Sequence, residues 1–412
     1  MKHEVLVLGA GIVGTCTALH LVLRGHSVTL VDRREPGAET SYGNAGLIQR
    51  EAIEPVAFPR DFPTLSRAAL KRGAKISYHL DALPGTAPEL ARYWKNSRPT
   101  AYARIAQVHA RLIAHCLSEH EALIDRAGAR ELVARNGFRF VYRQQATMER
   151  AIARAQRLAR EGGVRHAVED PEALAAAEPA LKLRLAGAVH WLDPWSVNNP
   201  GELVKRYAAL FAQLGGRFVK GDAASLRQTE TGWRVRTVDG EIDGEHAVLA
   251  LGPWSKEVVR AQGYRLPLFA IRGYHRHYRG GEAPRTPMLD ADGGFMLSPM
   301  QQGVRITTGA EFARMNARST PVQLGRAERL ARELLDLPEA VEQDPWRGAR
   351  PCSADMLPLV GPAPRHRGLW FNFGHAHQGF TLGPVSGRLL AEMIDGSEPV
   401  VDPWPYAPAR FG

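Results

Sequence analysis

The first thirty or so residues alternate between apolar runs and short glycine-containing breaks. Residues 5–8 form a continuous apolar run, which is typical of a strand buried on both faces. Residues 15–23 have helical character, and Gly25 can end that helix in the left-handed conformation. A second apolar run follows at residues 27–31. The pattern predicts a strand, a helix and a parallel strand, which is a βαβ unit.

Three glycines occupy the first turn of this unit. Gly9, Gly11 and Gly14 have the spacing GxGxxG, in which the first permits a tight turn and the second lets the backbone approach a pyrophosphate. The third lets the helix pack against the strand, and the helix start offers free N–H groups to phosphates. Asp32 lies eighteen residues after Gly14, where a carboxylate can accept hydrogen bonds from ribose hydroxyls. Strand, glycines, helix and acid together predict a dinucleotide site.

Other segments continue the alternation of helices and strands. Residues 374–379 form a glycine-rich loop before a helix that we expect to begin near residues 382–384. No repeat is apparent, so the chain is expected to leave the nucleotide domain and re-enter it. The predicted elements are strands at residues 136–143, 216–220, 246–255, 269–279 and Leu369–Phe373, and helices near residues 147–160 and 200–214.

Composition narrows the class of protein. With 412 residues, 44% of them hydrophobic and 23% charged, the chain has the make-up of a globular protein of more than one domain. The formal net charge is +10, but no block of like charges predicts nucleic-acid binding. Cys16, Cys116 and Cys352 form neither a disulfide framework nor a metal pair, which favours a reducing compartment. The early first strand argues against a signal peptide, and no apolar run reaches eighteen residues.

The segment after the second strand distinguishes two possible cofactors. NAD and FAD both fit a βαβ unit of this kind, but an NAD-dependent dehydrogenase usually continues into another short βαβ repeat. Residues 37–48, GAETSYGNAGLI, instead form a loop of small and hydroxyl-bearing residues. That loop can lay Ser41, Asn44, Ala45 and Gly46 along the second half of an extended cofactor. The sequence therefore favours FAD.

At this point a family resemblance is visible. The N-terminal unit followed by ETSYGNAGLI resembles the D-amino-acid oxidase/dehydrogenase superfamily of FAD enzymes, and its SxxNAG form is most similar to the small subunit of bacterial D-amino-acid dehydrogenase. The resemblance implies an α/β fold, α+β overall, with a Rossmann-like FAD-binding domain and a discontinuous antiparallel-sheet substrate domain. We expect the FAD-binding domain at residues 1–80, 145–262 and 345–412, and the substrate domain at residues 81–144 and 263–344.

The cofactor contacts combine the motifs with what the resemblance implies. A helix start aimed at a flavin would stabilise the negative charge that reduction places near N1 and the C2 carbonyl. We expect FAD to be held without a covalent bond, because Cys352 does not have the spacing found in relatives that attach flavin through cysteine. The expected FAD-binding residues are Gly9, Ala10, Gly11, Ile12, Val13, Gly14, Asp32, Arg33, Ser41, Asn44, Ala45, Gly46, Leu47, Ala223, Gly252, Trp254, Gly348, Gly374, His375, Gly379, Phe380 and Thr381.

The segment RGARPCSADMLPLVG holds the main candidate for substrate binding. Guanidinium binds carboxylate in a planar, bidentate mode, and Arg350 matches the arginine of the superfamily's RPxTPD segment. Here the segment reads RPCSAD, so the loop conformation is expected to differ. Tyr274 and His275, on a strand resembling the pocket wall, and His377 are further candidates. The two HxH pairs, 275/277 and 375/377, lack a third ligand nearby in sequence, so no metal is expected.

The resemblance implies oxidation of the Cα–N bond of an amino acid, by analogy a D-amino acid, with hydride transfer from Cα to flavin N5. A cyclic substrate such as D-proline or hydroxyproline would give a cyclic imine. No side chain needs to act as an essential base, so we expect no catalytic residue other than the flavin itself. Electrons would pass to a quinone or another acceptor. The alternative within the enzyme class is a glycine or sarcosine type of amine oxidase that uses O2, and outside it a nucleotide binder without amine oxidation.

The same resemblance bears on location. It implies a cytoplasmic protein that can sit on the inner face of the membrane, as a homo-oligomer, a hetero-oligomer or alone. Within residues 58–94, the basic stretch FPTLSRAALKRG has some apolar residues and could contact anionic lipid. The other interpretation of this stretch is an outer layer of the substrate domain.

Overall fold

A computed structural model describes residues 2–62, 65–66 and 76–412. Its strands are β1 (Glu4–Leu8), β2 (Ser27–Asp32), β3 (Leu47–Ile48), β4 (Ile76–Tyr78), β5 (Val133–Ala134), β6 (Phe138–Tyr142), β7 (His166–Glu169), β8 (Gly187–Trp191), β9 (Trp195–Val197), β10 (Arg217–Gln228), β11 (Trp233–Thr237), β12 (Gly240–Gly244), β13 (His246–Leu249), β14 (Leu268–Arg279), β15 (Met288–Asp290), β16 (Phe295–Met300), β17 (Gly303–Thr307), β18 (Ala310–Phe312), β19 (Glu339–Ala340), β20 (Trp346–Ser353), β21 (Leu359–Pro362) and β22 (Leu369–Phe373). Its α-helices are α1 (Ile12–Leu23), α2 (Leu83–Asn96), α3 (Pro99–Ala114), α4 (Cys116–Arg126), α5 (Gln145–Gly162), α6 (Pro171–Ala177), α7 (Pro200–Gln213), α8 (Ser255–Ala261), α9 (Val322–Leu334) and α10 (Gly379–Asp395).

The first sheet has β1 near its centre. Its strand order is β12-β11-β10-β2-β1-β13-β22-β21, and the pairs from β10 to β22 are parallel. Leu6 of β1 lies opposite Thr29 of β2 and Ala247 of β13. Residues 5–8 are all buried, which is why this strand is apolar without alternation. The predicted βαβ unit is therefore present, with Gly25 at a φ of 86° just beyond α1.

The second sheet is largely antiparallel and is organised around the long strand β14. Its order is β4-β18-β14-β17-β16-β15-β6-β8-β7, with β19 and β20 also paired to β14. The predicted domain ranges remain a prediction, and strands from the range predicted for FAD binding occur in both sheets. Strands β4, β7, β8 and β20 of that range lie in the second sheet. In the other direction, α3 and α4 pack against α10, although they fall within residues 81–144.

Helices α1 and α10 pack closely because glycines on α10 face α1. A Cβ built on Gly387 would lie 2.8 Å from the backbone nitrogen of Thr17, and one built on Gly383 would lie 3.0 Å from the Ile12 side chain. Helix α10 begins at Gly379 rather than near residues 382–384, because a 3-10 turn at Ala376–Gln378 runs directly into it. The two helices therefore begin side by side, at the same end of the first sheet.

Among the described residues, none of the helices combines the length and the apolar character that crossing a bilayer requires. The stretch at residues 62–73, for which a lipid contact and an outer layer of the substrate domain were both considered, lies largely outside the described part of the chain. Residues 41–48 are called the SYGNAGLI loop. A small third sheet, in the order β3-β9-β5, joins the end of this loop to the segment that precedes α7. The loop also contacts the second sheet, because Ser298 Oγ of β16 donates to the carbonyl of Ala45.

Candidate active site

A cavity of about 700 Å³ extends from the turn between β1 and α1 to strands β14 and β20 and the start of α10. Most of the residues predicted as site residues line it. Those in the wall are Gly9, Gly11, Ile12, Val13, Asp32, Arg33, Ser41, Asn44, Ala45, Leu47, Ala223, Gly252, Trp254, Tyr274, Gly348, Arg350, His375, His377, Gly379 and Phe380. The predicted residues outside the lining are Ala10, Gly14, Gly46, His275, Gly374 and Thr381.

The first turn is built by close backbone approach. Gly9 has a φ of 110°, and a Cβ there would lie 2.5 Å from the carbonyl oxygen of Ala250. A Cβ on Gly14 would lie 1.8 Å from the carbonyl oxygen of Gly9, so neither position tolerates a side chain. Gly11 differs, because the nearest atom to a Cβ there is Ser41 Oγ at 3.4 Å. Gly9 and Gly14 shape the turn, while Gly11 exposes its backbone to the cavity.

The acid at the end of β2 holds the turn in place. Asp32 Oδ2 accepts a hydrogen bond from the N–H of Ala10 at 2.7 Å, and Oδ1 accepts one from Arg34 at 3.0 Å. The Ala10 N–H is therefore occupied by Asp32, and the contact of Ala10 with the cofactor stays a prediction. The Arg33 guanidinium lies over the Trp254 ring at 4.5 Å, and both line this end of the cavity.

The SYGNAGLI loop is held by its own side chains and by the second sheet. Asn44 Oδ1 accepts from the N–H of Gly46 at 2.8 Å, and the carbonyl of Ala45 accepts from Ser298 Oγ at 2.8 Å. Gly46 has a φ of 71°, and a Cβ there would lie 2.2 Å from the carbonyl oxygen of Val197. Gly46 therefore packs against Val197, away from the cavity, while Asn44 and Ala45 line the cavity.

The loop before α10 presents two histidines with different surroundings. His375 Nε2 and Ser386 Oγ are 3.0 Å apart, and burial lowers the pKa of His375 to about 3. His377 is half-buried, and its pKa is lowered to about 3 by burial and then by the charge of Arg350. Both imidazoles are therefore neutral at physiological pH. Thr381, one turn into α10, lies behind the wall and accepts a hydrogen bond from the N–H of Gln49 at 3.1 Å.

Arg350 is a cation without an anionic partner among the described residues. It lies on β20 opposite Ile271, and its guanidinium extends over Gly273, where a Cβ would be 2.8 Å from Nη1. Nη1 donates to the carbonyl of Gly309 at 3.0 Å and Nη2 to that of Thr308 at 3.2 Å. Burial lowers the pKa of Arg350 below its usual value, but a guanidinium keeps its charge in proteins. The arrangement favours an anionic ligand.

His275 and Tyr274 lie on opposite faces of β14, and neither offers a free polar group to the cavity. The His275 ring is fully buried and stacks on Trp346 with ring centroids 4.7 Å apart, so the expectation that it lines the pocket is wrong. The Tyr274 hydroxyl donates to Glu311 Oε2 at 2.8 Å and accepts from Arg272, so its polar end is already occupied.

Trp346 is a residue of the wall that sequence reasoning missed. Its indole lies between two glycines, since a Cβ on Gly43 or Gly348 would come within 1.8 Å or 2.0 Å of the ring. Strand alternation was the available signal, because it puts Trp346, Gly348 and Arg350 on one face. Glu51, five residues after Gly46, also lines the cavity, and no motif in the sequence pointed to it.

Among the described residues, two clusters combine histidines with a carboxylate in a way that could hold a metal ion. His275, His277 and Glu342 have potential ligand atoms within 4.8 Å of one another, as do His3, Glu245 and His246. Glu342 is distant in sequence from His275 and His277, which is why the spacing of the histidines alone did not reveal it. Arg305 Nε donates to His277 Nε2 at 2.9 Å, and this cation opposes metal binding in the first group.

The cavity fits a flavin adenine dinucleotide. The start of α1 and the exposed backbone of Gly11 suit the pyrophosphate, and the carboxylate of Asp32 suits a ribose. The start of α10 lies at the other end of the cavity, where Gln378 Oε1 is buried without a partner. Among the described residues, no cysteine lines this cavity, and burial raises the pKa of Cys352 to about 12.

Comparisons with known proteins agree with this geometry. The chain is 29% identical over 427 residues to the D-amino-acid oxidase of Bradyrhizobium diazoefficiens, with 99% of each chain covered. It is 30% identical over 415 residues to the D-amino acid dehydrogenase of Chromohalobacter salexigens, with 97% of each covered. The glycine oxidase structure from Geobacillus kaustophilus superposes with a TM-score of 0.74 at 21% identity, covering 98% of both chains, and this confirms the expected fold class.

The family itself follows from a match over nearly the whole chain. The family model described as FAD dependent oxidoreductase matches residues 4–393, which span both sheets and the cavity between them. The expected resemblance to D-amino-acid oxidases and dehydrogenases is confirmed. This chain belongs to the FAD dependent oxidoreductase family.

Proposed function

We propose that this enzyme oxidises the Cα–N bond of an amino acid, with D-amino acids as the preferred class. Cyclic substrates such as D-proline or hydroxyproline belong to the same proposal. One observation carries it: Arg350 is a guanidinium without an anionic partner among the described residues, in the same cavity as the starts of α1 and α10. The family supplies the cofactor, and this arginine supplies a binding group for the substrate carboxylate.

The protein's part in the reaction is to bind and orient. The two carbonyls that accept from Arg350 hold its guanidinium, and Gly273 leaves room above the strand for that group. A substrate carboxylate on Arg350 has its Cα fixed relative to the cavity, and such positioning lowers the barrier without a general base. His377 is neutral and adjacent to this charge, so it adds no competing cation. FAD, when bound, supplies the acceptor for two electrons from Cα.

We propose that FAD is held without a covalent bond to cysteine. Cys352 is 3% exposed and absent from the cavity wall, and its thiol lies 3.8 Å from the carbonyl oxygen of Arg350. The contacts expected to hold the cofactor are therefore backbone groups of the first turn, the SYGNAGLI loop and the start of α10. Acid precipitation of the purified protein tests this, because a non-covalent flavin stays in the supernatant.

The electron acceptor is proposed to be a quinone or a similar carrier, with the enzyme cytoplasmic or peripheral on the membrane. The alternative is a glycine or sarcosine type of oxidase that reduces O2, and the relatives include both a D-amino-acid dehydrogenase and a D-amino-acid oxidase. Turnover with a dye acceptor under nitrogen, compared with peroxide formation in air, distinguishes the two. Sedimentation with anionic liposomes tests the membrane contact.

The decisive experiment is anaerobic bleaching of the bound flavin. A panel of D-amino acids, L-amino acids, glycine, sarcosine and cyclic amines is mixed with the holoenzyme without oxygen. We expect D-amino acids to bleach the flavin fastest. Bleaching by glycine and sarcosine alone would support the alternative, and bleaching by none of them would reject oxidation of amino acids.

A further inference from the structure

The wall of the cavity contains a second unpaired group of opposite sign to Arg350. Glu51 is 5% exposed, and its Oε1 accepts a hydrogen bond from Gln49 Nε2 at 2.9 Å. Its Oε2 is buried and has no hydrogen-bond partner within the described part of the chain. Burial raises the pKa of this carboxyl to about 7, against the opposing effects of the Gln49 hydrogen bond and of the Arg154 charge. A buried acceptor left unpaired is costly to the fold, so it needs an explanation.

Glu54, a neighbouring carboxylate, has the charged partners that Glu51 lacks. Glu54 also lines the cavity, but its Oε2 accepts from Arg154 Nη2 at 2.9 Å and its Oε1 accepts from Arg157 at 2.7 Å. Its pKa is lowered, because the two arginines outweigh burial. Glu54 is therefore satisfied by the protein itself, whereas one oxygen of Glu51 is left for something that the protein does not provide.

Aromatic rings line the same side of the cavity as Glu51. Phe138 and Phe140 have ring centroids 4.8 Å apart, and Phe140 lies 6.1 Å from Trp191. The Trp191 Nε1 is buried and has no hydrogen-bond acceptor among the residues that the structure describes. The segment that carries Glu51 lies along α5, because Glu54 pairs with Arg154 and Arg157 of that helix. Helix α5 packs against β8, which carries Trp191, so the segment with Glu51 lies beside the strands that carry the rings.

We propose that Glu51, with Phe138, Phe140 and Trp191, forms a side-chain subsite for a cationic group. The preferred substrates would then be amino acids with an ammonium or guanidinium in the side chain, with their carboxylate on Arg350. A carboxylate forms charge-assisted hydrogen bonds with such a group, and aromatic faces attract cations. This inference rests on the proposed function, because it assigns the two charged ends of one substrate to two groups, Arg350 and Glu51, in the wall of one cavity.

The first test does not depend on turnover. 6-Aminohexanoate carries a carboxylate and a distal ammonium but no α-amine, and hexanoate is the matched ligand without the cation. Binding of each is measured from the change in flavin absorbance of the holoenzyme. We expect the wild type to bind 6-aminohexanoate about 10- to 100-fold more tightly than hexanoate, and Glu51→Gln to lose that preference. The control Glu54→Gln should keep it.

The second test uses kcat/KM for D-lysine and D-norleucine, which have similar length and differ in side-chain charge. Glu51→Gln should lower the ratio of D-lysine to D-norleucine by about 10- to 100-fold, whereas Glu54→Gln should not. If Glu51→Gln lowered both values equally, Glu51 would support the fold or the reaction and the subsite would be rejected. A shift in the flavin reduction potential of ligand-free Glu51→Gln, with unchanged selectivity, would assign the carboxyl to the cofactor instead.

These experiments distinguish a failure of the proposed oxidation of amino acids from a failure of the proposed cation subsite. If 6-aminohexanoate binds as expected but no amino acid bleaches the flavin, the oxidation of amino acids is wrong and the cation subsite stands. If amino acids are oxidised without any preference for cationic ligands in the wild type, the proposed function stands and the subsite is wrong.

Discussion

The two ends of the cavity are built in different ways. At the β1–α1 turn, recognition relies on backbone, and the decisive positions are glycines within a few residues of each other. At the other end, the recognition that we propose relies on the side chains of Arg350, Glu51 and Trp191, which come from β20, the segment after β3, and β8. A backbone site is destroyed by adding atoms, whereas a side-chain site is altered by removing them. The two ends should therefore respond in opposite ways to mutation.

The largest effect is expected from adding atoms to the turn. Gly14→Val would put a Cβ 1.8 Å from the carbonyl oxygen of Gly9, so strand and helix must separate. We expect loss of bound flavin and a destabilisation of more than about 3 kcal/mol. The flavin-to-protein ratio and urea unfolding measure both. Gly325→Ala, in α9 with no atom within 4 Å of the new Cβ, is the control and should retain its flavin.

Removing the guanidinium of Arg350 should leave flavin binding at the β1–α1 turn unchanged and weaken only substrate binding. Arg350→Met removes the charge-assisted bonds to a carboxylate, which are worth roughly 1.5–3 kcal/mol each. We expect KM for amino acids to rise by about 100-fold while the flavin content stays at the wild-type level. Arg347→Gln, on the same strand with an exposed side chain, should leave KM near that of the wild type. Loss of flavin from Arg350→Met would contradict the separation of the two ends.

The buried acid at the substrate end should make stability depend on pH. The pKa of Glu51 is raised from 4.5 to about 7, so the folded state holds this proton more tightly than the unfolded chain. Stability contributed by the neutral form is therefore lost as the pH rises from about 4.5 to 7, by about 1–3 kcal/mol in all. Gln49, Arg154 and Asp193 are the neighbours that modulate this titration.

Glu51→Gln removes that dependence. The variant should gain stability relative to the wild type between pH 5 and pH 8, as measured by thermal unfolding at several pH values. Glu54→Gln should instead be less stable than the wild type by a constant amount over this range, because the pKa of Glu54 is lowered and the stability given by its charged form is lost only as the pH falls below about 4.5. A stability difference between wild type and Glu51→Gln that does not change with pH would show that this carboxyl does not titrate in that range.

The smallest effect is expected from a side chain that supports the backbone site. Ser41 Oγ accepts the N–H of Ile12 at 2.9 Å, at the first turn of α1. Ser41→Ala leaves that donor without its partner, at a cost of about 1 kcal/mol. We expect FAD affinity to fall by about fivefold, as measured by fluorescence titration of the apoprotein. Thr40→Ala, which removes a hydrogen bond to the carbonyl of Ala349 away from the turn, is the control and should have a smaller effect.

Much of the fold was predictable because its elements are local. The βαβ unit, the strand at Leu369–Phe373 and the helix near residues 200–214 follow from apolar periodicity and glycine positions, which depend only on neighbours in the chain. The start of α10 was placed too late, because a 3-10 turn that merges with a helix leaves no signal in a periodic pattern. The allocation of β7, β8 and β20 to the second sheet depends on long-range pairing, which one sequence does not encode visibly.

The site residues show the same difference between features set by local sequence and features set by long-range contacts. The sequence by itself determined the dinucleotide turn, because tight turns and close backbone approach demand glycine and so leave a legible motif. Only the tertiary structure decided that His275 lies behind Trp346, that Glu51 has an unpaired oxygen, and that Arg350 has no described counterion. Those are statements about what surrounds a side chain. Burial and pairing are set by contacts between distant strands, and they exist only once the chain has folded.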